Sequence, residues 1–314
     1  MGYPQNSDPF IAPLHGGIVE GMLRFHYSGG ISSCECPEFG FFSEEGGETR
    51  AKTLDNNPKQ DLIKMTKPIA IQLFSVRKEV QSDLPGTLRE LARMGYDGVE
   101  FFGTYPHSPE EIRGMLRENN LQAVGYHVLL PWLQGEELAK TIALCNGIGT
   151  SNAVVAVLPE ERRKTKADWI EVAHELNGVR EELAKAGITL GYHNHRMEFD
   201  PVEGALGQDL LFQTFASDVV MELDIGHALR GGADPIEVIK KYPNRQKLVH
   251  VREFDPNDDH ALVGEGTVDW KSVLPVCAST GGAAWYIIEQ GSAKIPAMDA
   301  AQRCLDNLKA VIEG

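Results

Sequence analysis

The sequence predicts an α/β protein, a (β/α)8 TIM barrel preceded by an irregular N-terminal extension. Three observations predict it. From Ile69 onward eight short apolar runs alternate with helix-like runs without a break, the alternation fills about 250 residues, and no glycine-rich loop follows the first run. Strict alternation implies parallel strands joined by helical crossovers, and eight such units at this length match a closed barrel. The rival, a doubly wound open sheet, would place a glycine-rich phosphate turn after its first strand. Gln72-Leu-Phe-Ser-Val-Arg77 contains no glycine.

The strand-like runs are Ile69–Phe74, Gly98–Phe102, Leu121–Val128, Asn152–Leu158, Ile188–His193, Val219–Asp224, Lys247–Arg252 and Ala284–Glu289. Each is a short apolar stretch of the length of a buried strand. Helices are expected to begin near Leu84, Ser108, Gly135, Lys166, Ala205, Asp234 and Asp269, with a last one from about Ile295 to the C-terminus. Ser108-Pro109-Glu110-Glu111 sets a cap, a proline and acids in helix-starting order, and Asp234-Pro235 repeats the cap and proline. Glycine closes several helices, as in Met94-Gly95-Tyr96 and Ala186-Gly187-Ile188.

Residues 1–64 read differently. Nine glycines and five prolines fall there without sustained periodicity, apart from one short amphipathic piece at Ile18 to Phe25. This segment is expected to be a dispensable appendage to a barrel spanning 65–314.

The chain has 314 residues, 42% apolar and 24% charged, which excludes a fully disordered protein. No run of about 18 apolar residues occurs, so no membrane span is expected, and the start lacks the pattern of a secretory signal. The expected location is therefore the cytoplasm. Forty-five acids against 30 bases give a charge of −15. With no basic stripe, that argues against a nucleic-acid partner. Of five cysteines, Cys145, Cys277 and Cys304 fall in helical segments as small buried thiols. Cys34 and Cys36 form a CxC pair with no second cluster to complete a zinc site.

Barrels of this type do their chemistry at the C-terminal strand ends. Those ends carry Gln72, Glu100, His127, His193, Asp224, His250 and Glu289. Packing alone would put Val, Ile or Leu there, and an uncompensated cluster of buried carboxylates is costly. A divalent cation resolves the conflict. His193, Asp224, His250 and Glu289 suit it best, since two imidazoles and two carboxylates leave positions open for substrate. Mn2+ is the first choice, with Co2+, Fe2+, Zn2+ or Mg2+ as others; mixed nitrogen and oxygen ligands disfavour Ca2+.

A set of motifs then points to a family. They are Ile71-Gln-Leu-Phe-Ser-Val-Arg77, Gly95-Tyr-Asp-Gly-Val-Glu100, Gly191-Tyr-His-Asn-His195, Glu222-Leu-Asp-Ile-Gly-His227, Leu248-Val-His-Val251, Gly264-Glu-Gly-Thr-Val-Asp-Trp270 and Trp285-Tyr-Ile-Ile-Glu-Gln290. In order and spacing, residues 69–314 resemble the xylose isomerase-like TIM-barrel superfamily, in particular its sugar phosphate isomerase/epimerase branch. The resemblance implies one divalent metal at the barrel mouth, with Asp224, His250 and Glu289 on three of the family's four ligand positions. The fourth is usually a glutamate at the end of strand five, and here His193 stands in its place. Of the two glutamates that move the proton in the family's epimerases, only Glu289 remains. His195 lies on the same strand face as His193 and is the fallback ligand or a substrate contact. His227 matches a substrate-facing histidine of the family. Glu222, one layer below Asp224, is expected to orient a ligand histidine. Glu265, in a glycine-flanked loop, is expected to close over substrate.

The chemistry that fits is proton abstraction next to the carbonyl of a sugar or keto-sugar, with the metal stabilising charge on the enediolate oxygens. Glu289, His127 and Glu100, in that order, are the candidate catalytic groups. Gln72, His195, His227 and Glu265 are the candidate substrate contacts. Phe74, Phe102, Tyr105, Trp132 and Tyr192 offer faces for a sugar ring or simply belong to the core. The outcome is isomerisation or epimerisation, or, as the main alternative, lyase, hydratase or hydrolase chemistry on 3-keto-glycosides or keto-inositols. A nuclease of the same superfamily is disfavoured by charge. A metal-free sugar-binding barrel is the reading from another class. The expected partner is a small sugar, without nucleic acid or membrane; homo-oligomerisation is left open.

Overall fold

Eight strands are observed in the predicted order: β1 (Ile69–Gln72), β2 (Gly98–Phe102), β3 (Gln122–Val128), β4 (Asn152–Val155), β5 (Thr189–His193), β6 (Val220–Asp224), β7 (Leu248–Val251) and β8 (Trp285–Ile288). The structure is a computed structural model that describes residues 66–291 and 293–314. Every strand pairs in parallel with its sequence neighbours, and β8 closes the barrel on β1 with Ala70 opposite Ile287. The predicted extension 1–64, with Cys34 and Cys36, lies outside the described residues.

The helices are α1 (Arg77–Ser82), α2 (Leu84–Met94), α3 (Pro109–Glu118), α4 (Gly135–Ile148), α5 (Lys166–Lys185), α6 (Gly207–Thr214), α7 (Ile225–Arg230), α8 (Pro235–Lys241), α9 (Trp270–Val276) and α10 (Ala297–Glu313). Their starts follow the local chemistry. Ser108 and Glu111 form a reciprocal capping box at α3, Thr165 and Asp168 form another at α5, and Asp234 caps α8.

Some boundaries depart from the sequence reading. β1 ends at Gln72, not Phe74, because the Gln72 side chain accepts the Phe74 N–H and turns the chain into a 3-10 turn, Leu73–Val76. β4 ends at Val155 rather than Leu158. α6 starts at Gly207 because Ala205–Leu206 pairs with Pro201–Val202 in a small antiparallel ladder. The six-residue α1 and α7 were not foreseen; fewer than two turns cannot display a helical period.

Strand alternation builds two cores. Outward side chains pack beneath the helices, among them Ile71, Phe101, Val155, Met221 and Val249 against Leu88, Trp169 and Leu305. Inward side chains at the lower level form a separate apolar plug of Ala70, Val124, Val154, Val220, Leu248 and Ile287. Two residues further along the same faces the chemistry changes to Gln72, Glu222, His250 and Glu289. A register shift pairs Glu100 with Gly125, which turns His127 inward as well. Gly125 is required there, since a Cβ would lie 2.5 Å from Glu100 Oε1. Burial pushes the Cys145 and Cys277 thiols up to about 12, as expected of unreactive core cysteines. Among the described residues no helix is long and apolar enough to cross a membrane.

Candidate active site

The polar layer above the plug is one connected cluster. His250, on β7, sits at its centre. Its Nδ1 lies 2.8 Å from Glu289 Oε2 and its Nε2 2.8 Å from Glu100 Oε2, across the barrel on β2. Glu222, on β6, approaches three imidazoles: His127 Nε2 at 2.6 Å, His193 Nδ1 at 3.2 Å and His250 Nε2 at 3.2 Å. Gln72 donates to Glu100 Oε2 at 2.8 Å.

The outer edge is organised by a residue the sequence reading passed over. Arg252 donates from Nε to Asp224 Oδ2 at 2.8 Å and pairs through its other end with Glu289 Oε1. It stands two residues after His250, on the same strand face, so alternation alone would have found it. Asp224 has a second duty: its Oδ1 accepts the His227 N–H at 2.7 Å and caps α7. Asn194, also missed, brackets the Asp224 backbone with its side-chain amide, accepting from N and donating to O.

These contacts sort the histidines into two kinds. Burial alone would lower the pKa of His127, but Glu100 and Glu222 outweigh it and raise it to about 10. His250 is raised for the same reason, and Glu100 and Glu222 are correspondingly lowered despite burial. Burial dominates at the rim. It brings His195 down to about 4 with help from Arg252, and holds His193 and His227 well below the ordinary histidine value. Burial also opposes the charge of Glu289, but Arg252 outweighs it and keeps that carboxylate ionised. Asp224 is raised by burial. Two imidazoles whose pKa is raised by buried glutamates therefore lie deep, and three whose pKa is lowered by burial lie nearer the mouth. The rim rings are close together, His195 to His227 at 4.7 Å and His193 to His195 at 4.8 Å between centroids.

The cluster fits a divalent cation. Donor atoms of His193, Asp224, His250 and Glu289 lie within 4.8 Å of one another, and so do those of His127, His193, Glu222 and His250. His193 Nδ1, Glu100 Oε1 and Glu222 Oε1 are buried without a hydrogen-bond partner, the condition in which a positive charge is most favourable. The predicted set of four is thus brought together.

Other candidates take different positions. Glu100 is fully buried beneath His127 and His250, away from the rim. Gln72 is buried with both ends of its amide engaged. His227 is at the rim with both ring nitrogens unpartnered. Glu265 bonds to Asn307 and Arg303 of α10. The glutamate that organises its loop is instead Glu253, buried, which accepts N–H groups from Phe254, Gly264, Val268 and the Trp270 indole. Glu198, also buried and missed, accepts from the Tyr192 hydroxyl and the His195 N–H.

Comparison with known proteins agrees with this architecture. A structure described as a sugar phosphate isomerase/epimerase from Parabacteroides distasonis ATCC 8503 aligns over 78% of this chain and 95% of its own, with a TM-score of 0.67 and 24% identity. The IOLI protein, solved with a zinc atom, aligns over 78% and 98% with a TM-score of 0.59 and 15% identity. An inosose dehydratase from Clostridium botulinum (strain Alaska E43 / Type E3) is 22% identical over 246 residues, covering 64% of this chain and 80% of the relative. Residues 88–311 match the family model described as the xylose isomerase-like TIM barrel. With most of the barrel inside that match, the chain belongs to the xylose isomerase-like TIM barrel family.

Proposed function

We propose that this chain is a metal-dependent enzyme that removes the proton next to the carbonyl of a keto-sugar or keto-inositol, and that the usual outcome is loss of water from the neighbouring carbon. The observation that carries this reading is the asymmetry of the mouth: His193 stands at the end of β5, and Glu289 is the single carboxylate left from the pair that symmetric epimerisation needs. One glutamate where symmetric epimerisation needs two, with imidazoles beside it, suits a reaction whose two proton transfers differ in kind, abstraction from carbon and donation to a leaving hydroxyl. The similarity to an inosose dehydratase supports the same class.

His193, Asp224, His250 and Glu289 would hold the cation, which supplies Lewis-acid charge for the developing enediolate oxygen. A divalent ion is also consistent with the zinc atom bound in the IOLI protein. Arg252 fixes Glu289 and Asp224 in place, and His227, with two unpartnered ring nitrogens, is positioned to accept the carbon-bound proton or to bond a hydroxyl. His195, whose pKa burial brings down to about 4, is a second imidazole close by, its ring 4.7 Å from that of His227. Isomerisation or epimerisation of the same substrates shares the first step and differs in where the proton returns.

The test is incubation of the metal-loaded protein with ketoses, 3-keto-glycosides and keto-inositols in D2O. A product lacking the elements of water supports the proposal. Deuterium at the α carbon with an intact skeleton would replace it by isomerase or epimerase chemistry.

A further inference from the structure

We propose that two carboxylates below the mouth, Glu100 and Glu222, are positioning residues that decide which ring nitrogen each ligand histidine turns to the ion: Nε2 of His193 and Nδ1 of His250. The inference rests on reading His193, Asp224, His250 and Glu289 as the holders of the cation. It goes beyond an orienting part for Glu222 by fixing both rings and by bringing in Glu100 and His127.

Strand register sets up the difference. Between β5 and β6, His193 is paired with Glu222; between β6 and β7, His250 is paired with Asp224, two residues nearer the mouth. His193 therefore starts one level lower than His250. Its Nδ1 lies 3.2 Å from Glu222 Oε2, and no hydrogen bond claims that buried nitrogen. A buried donor left unpaired is costly, and a small turn of either group makes Glu222 its acceptor. Nε2, across the ring, is then left for the mouth. At His250 the arrangement is reversed. Its Nδ1 faces the mouth carboxylates, 2.8 Å from Glu289 Oε2 and 4.0 Å from Asp224 Oδ2. Its Nε2 reaches across the barrel to Glu100 Oε2 at 2.8 Å, with Glu222 Oε2 farther away at 3.2 Å. A metal-binding imidazole carries its ring proton on the other nitrogen, so Nε2–H of His250 donates to Glu100.

His127 holds the two carboxylates in place. Its Nε2 lies 2.6 Å from Glu222 Oε2 and 3.2 Å from Glu100 Oε2, so one N–H stands between two like charges from opposite sides of the barrel. Its ring is nearly parallel to that of His250, at 6°, with centroids 5.5 Å apart. Each carboxylate works through Oε2 alone, since Oε1 of both is buried without a partner. Glu100 is fully buried. Glu100 and His127, candidate catalytic groups by strand position, thus act through the ligand imidazoles rather than on substrate.

The experiment loads the full chain, carrying isotope-labelled histidine, with Zn2+ and identifies the metal-bound and protonated ring nitrogens by long-range proton–nitrogen correlation NMR. His193 should bind through Nε2 and His250 through Nδ1. Affinity is measured alongside by Co2+ titration of chelator-stripped protein. Glu100→Met and Glu222→Met, which keep side-chain length and remove the acceptor, should each weaken binding by about 10–100-fold. Glu100→Gln and Glu222→Gln, which keep an oxygen where Oε2 stands, should lose less than about tenfold and preserve the wild-type NMR pattern. His193 bound through Nδ1, or His250 through Nε2, overturns the assignment while the cation reading stands. Methionine variants with wild-type affinity overturn it in the same way. The wild-type spectrum decides even where a methionine variant fails to fold. If the wild-type chain takes up neither metal, both the assignment and the cation reading are overturned.

Discussion

Replacing Arg252 with methionine keeps the aliphatic stem but removes the guanidinium that bridges Asp224 and Glu289. Both carboxylates are buried, at 0% and 7% exposure. Breaking a buried pair by removing one partner costs about 3–5 kcal/mol. The Arg252 side chain keeps 16% of its exposure, so water can enter and the lower end applies, about 3 kcal/mol. With a urea slope of about 3 kcal/mol/M for a chain of this size, the unfolding midpoint should fall by about 1 M. Equilibrium urea unfolding of chelator-treated protein, followed by tryptophan fluorescence, measures it. The pH dependence has a definite sign. Arg252 holds the Glu289 pKa well below its ordinary 4.5, so the stabilisation it gives is present above that value and lost as pH falls through the folded-state value. The gap between wild type and variant should be full at pH 7 and narrow below about pH 4.5. A midpoint shift under about 0.3 M, or a gap unchanged by acid, would overturn this account, because the guanidinium would then contribute no more than a surface ion pair.

Two further substitutions probe how the mouth is built. Gly226→Ala places a Cβ 2.7 Å from the Arg252 carbonyl oxygen and 2.8 Å from the Glu253 carbonyl oxygen, backbone atoms that cannot yield easily. It should cost about 2–3 kcal/mol in the same urea assay, and wild-type stability would show that α7 can shift away from β7. Glu253→Gln replaces a carboxylate that accepts four N–H groups with an amide that can satisfy fewer. Limited proteolysis within residues 254–268 should accelerate by about tenfold or more, and an unchanged rate would mean that other contacts order the loop.

Much of the barrel was legible because two periods coexist in the sequence. The inward faces of β1, β6, β7 and β8 read Ala70 then Gln72, Val220 then Glu222 and Asp224, Leu248 then His250, and Ile287 then Glu289. An apolar lower level and a polar upper level are visible in that spacing before any coordinate, and the seven strand-end residues follow. Arg252 was equally available by the same alternation, but a lone arginine after a strand reads as solvated until its partners are known. The short helices α1 and α7, and the ladder that delays α6, are set by side-chain caps and local pairing rather than by period, so they escaped.

Residue order alone was enough for the alternating units, the closed parallel barrel and the collection of imidazoles and carboxylates at one end of it. Which of those groups meet was settled by the folded ring. Glu100 reaches His250, 150 residues further on, and Glu222 stands among His127, His193 and His250, because the barrel is narrow enough for opposite strands to touch. Its lumen is filled by side chains in layers, so contact depends on strand tilt and stagger around the closed ring. Those quantities appear only when β8 pairs with β1. They leave Arg252 between Asp224 and Glu289.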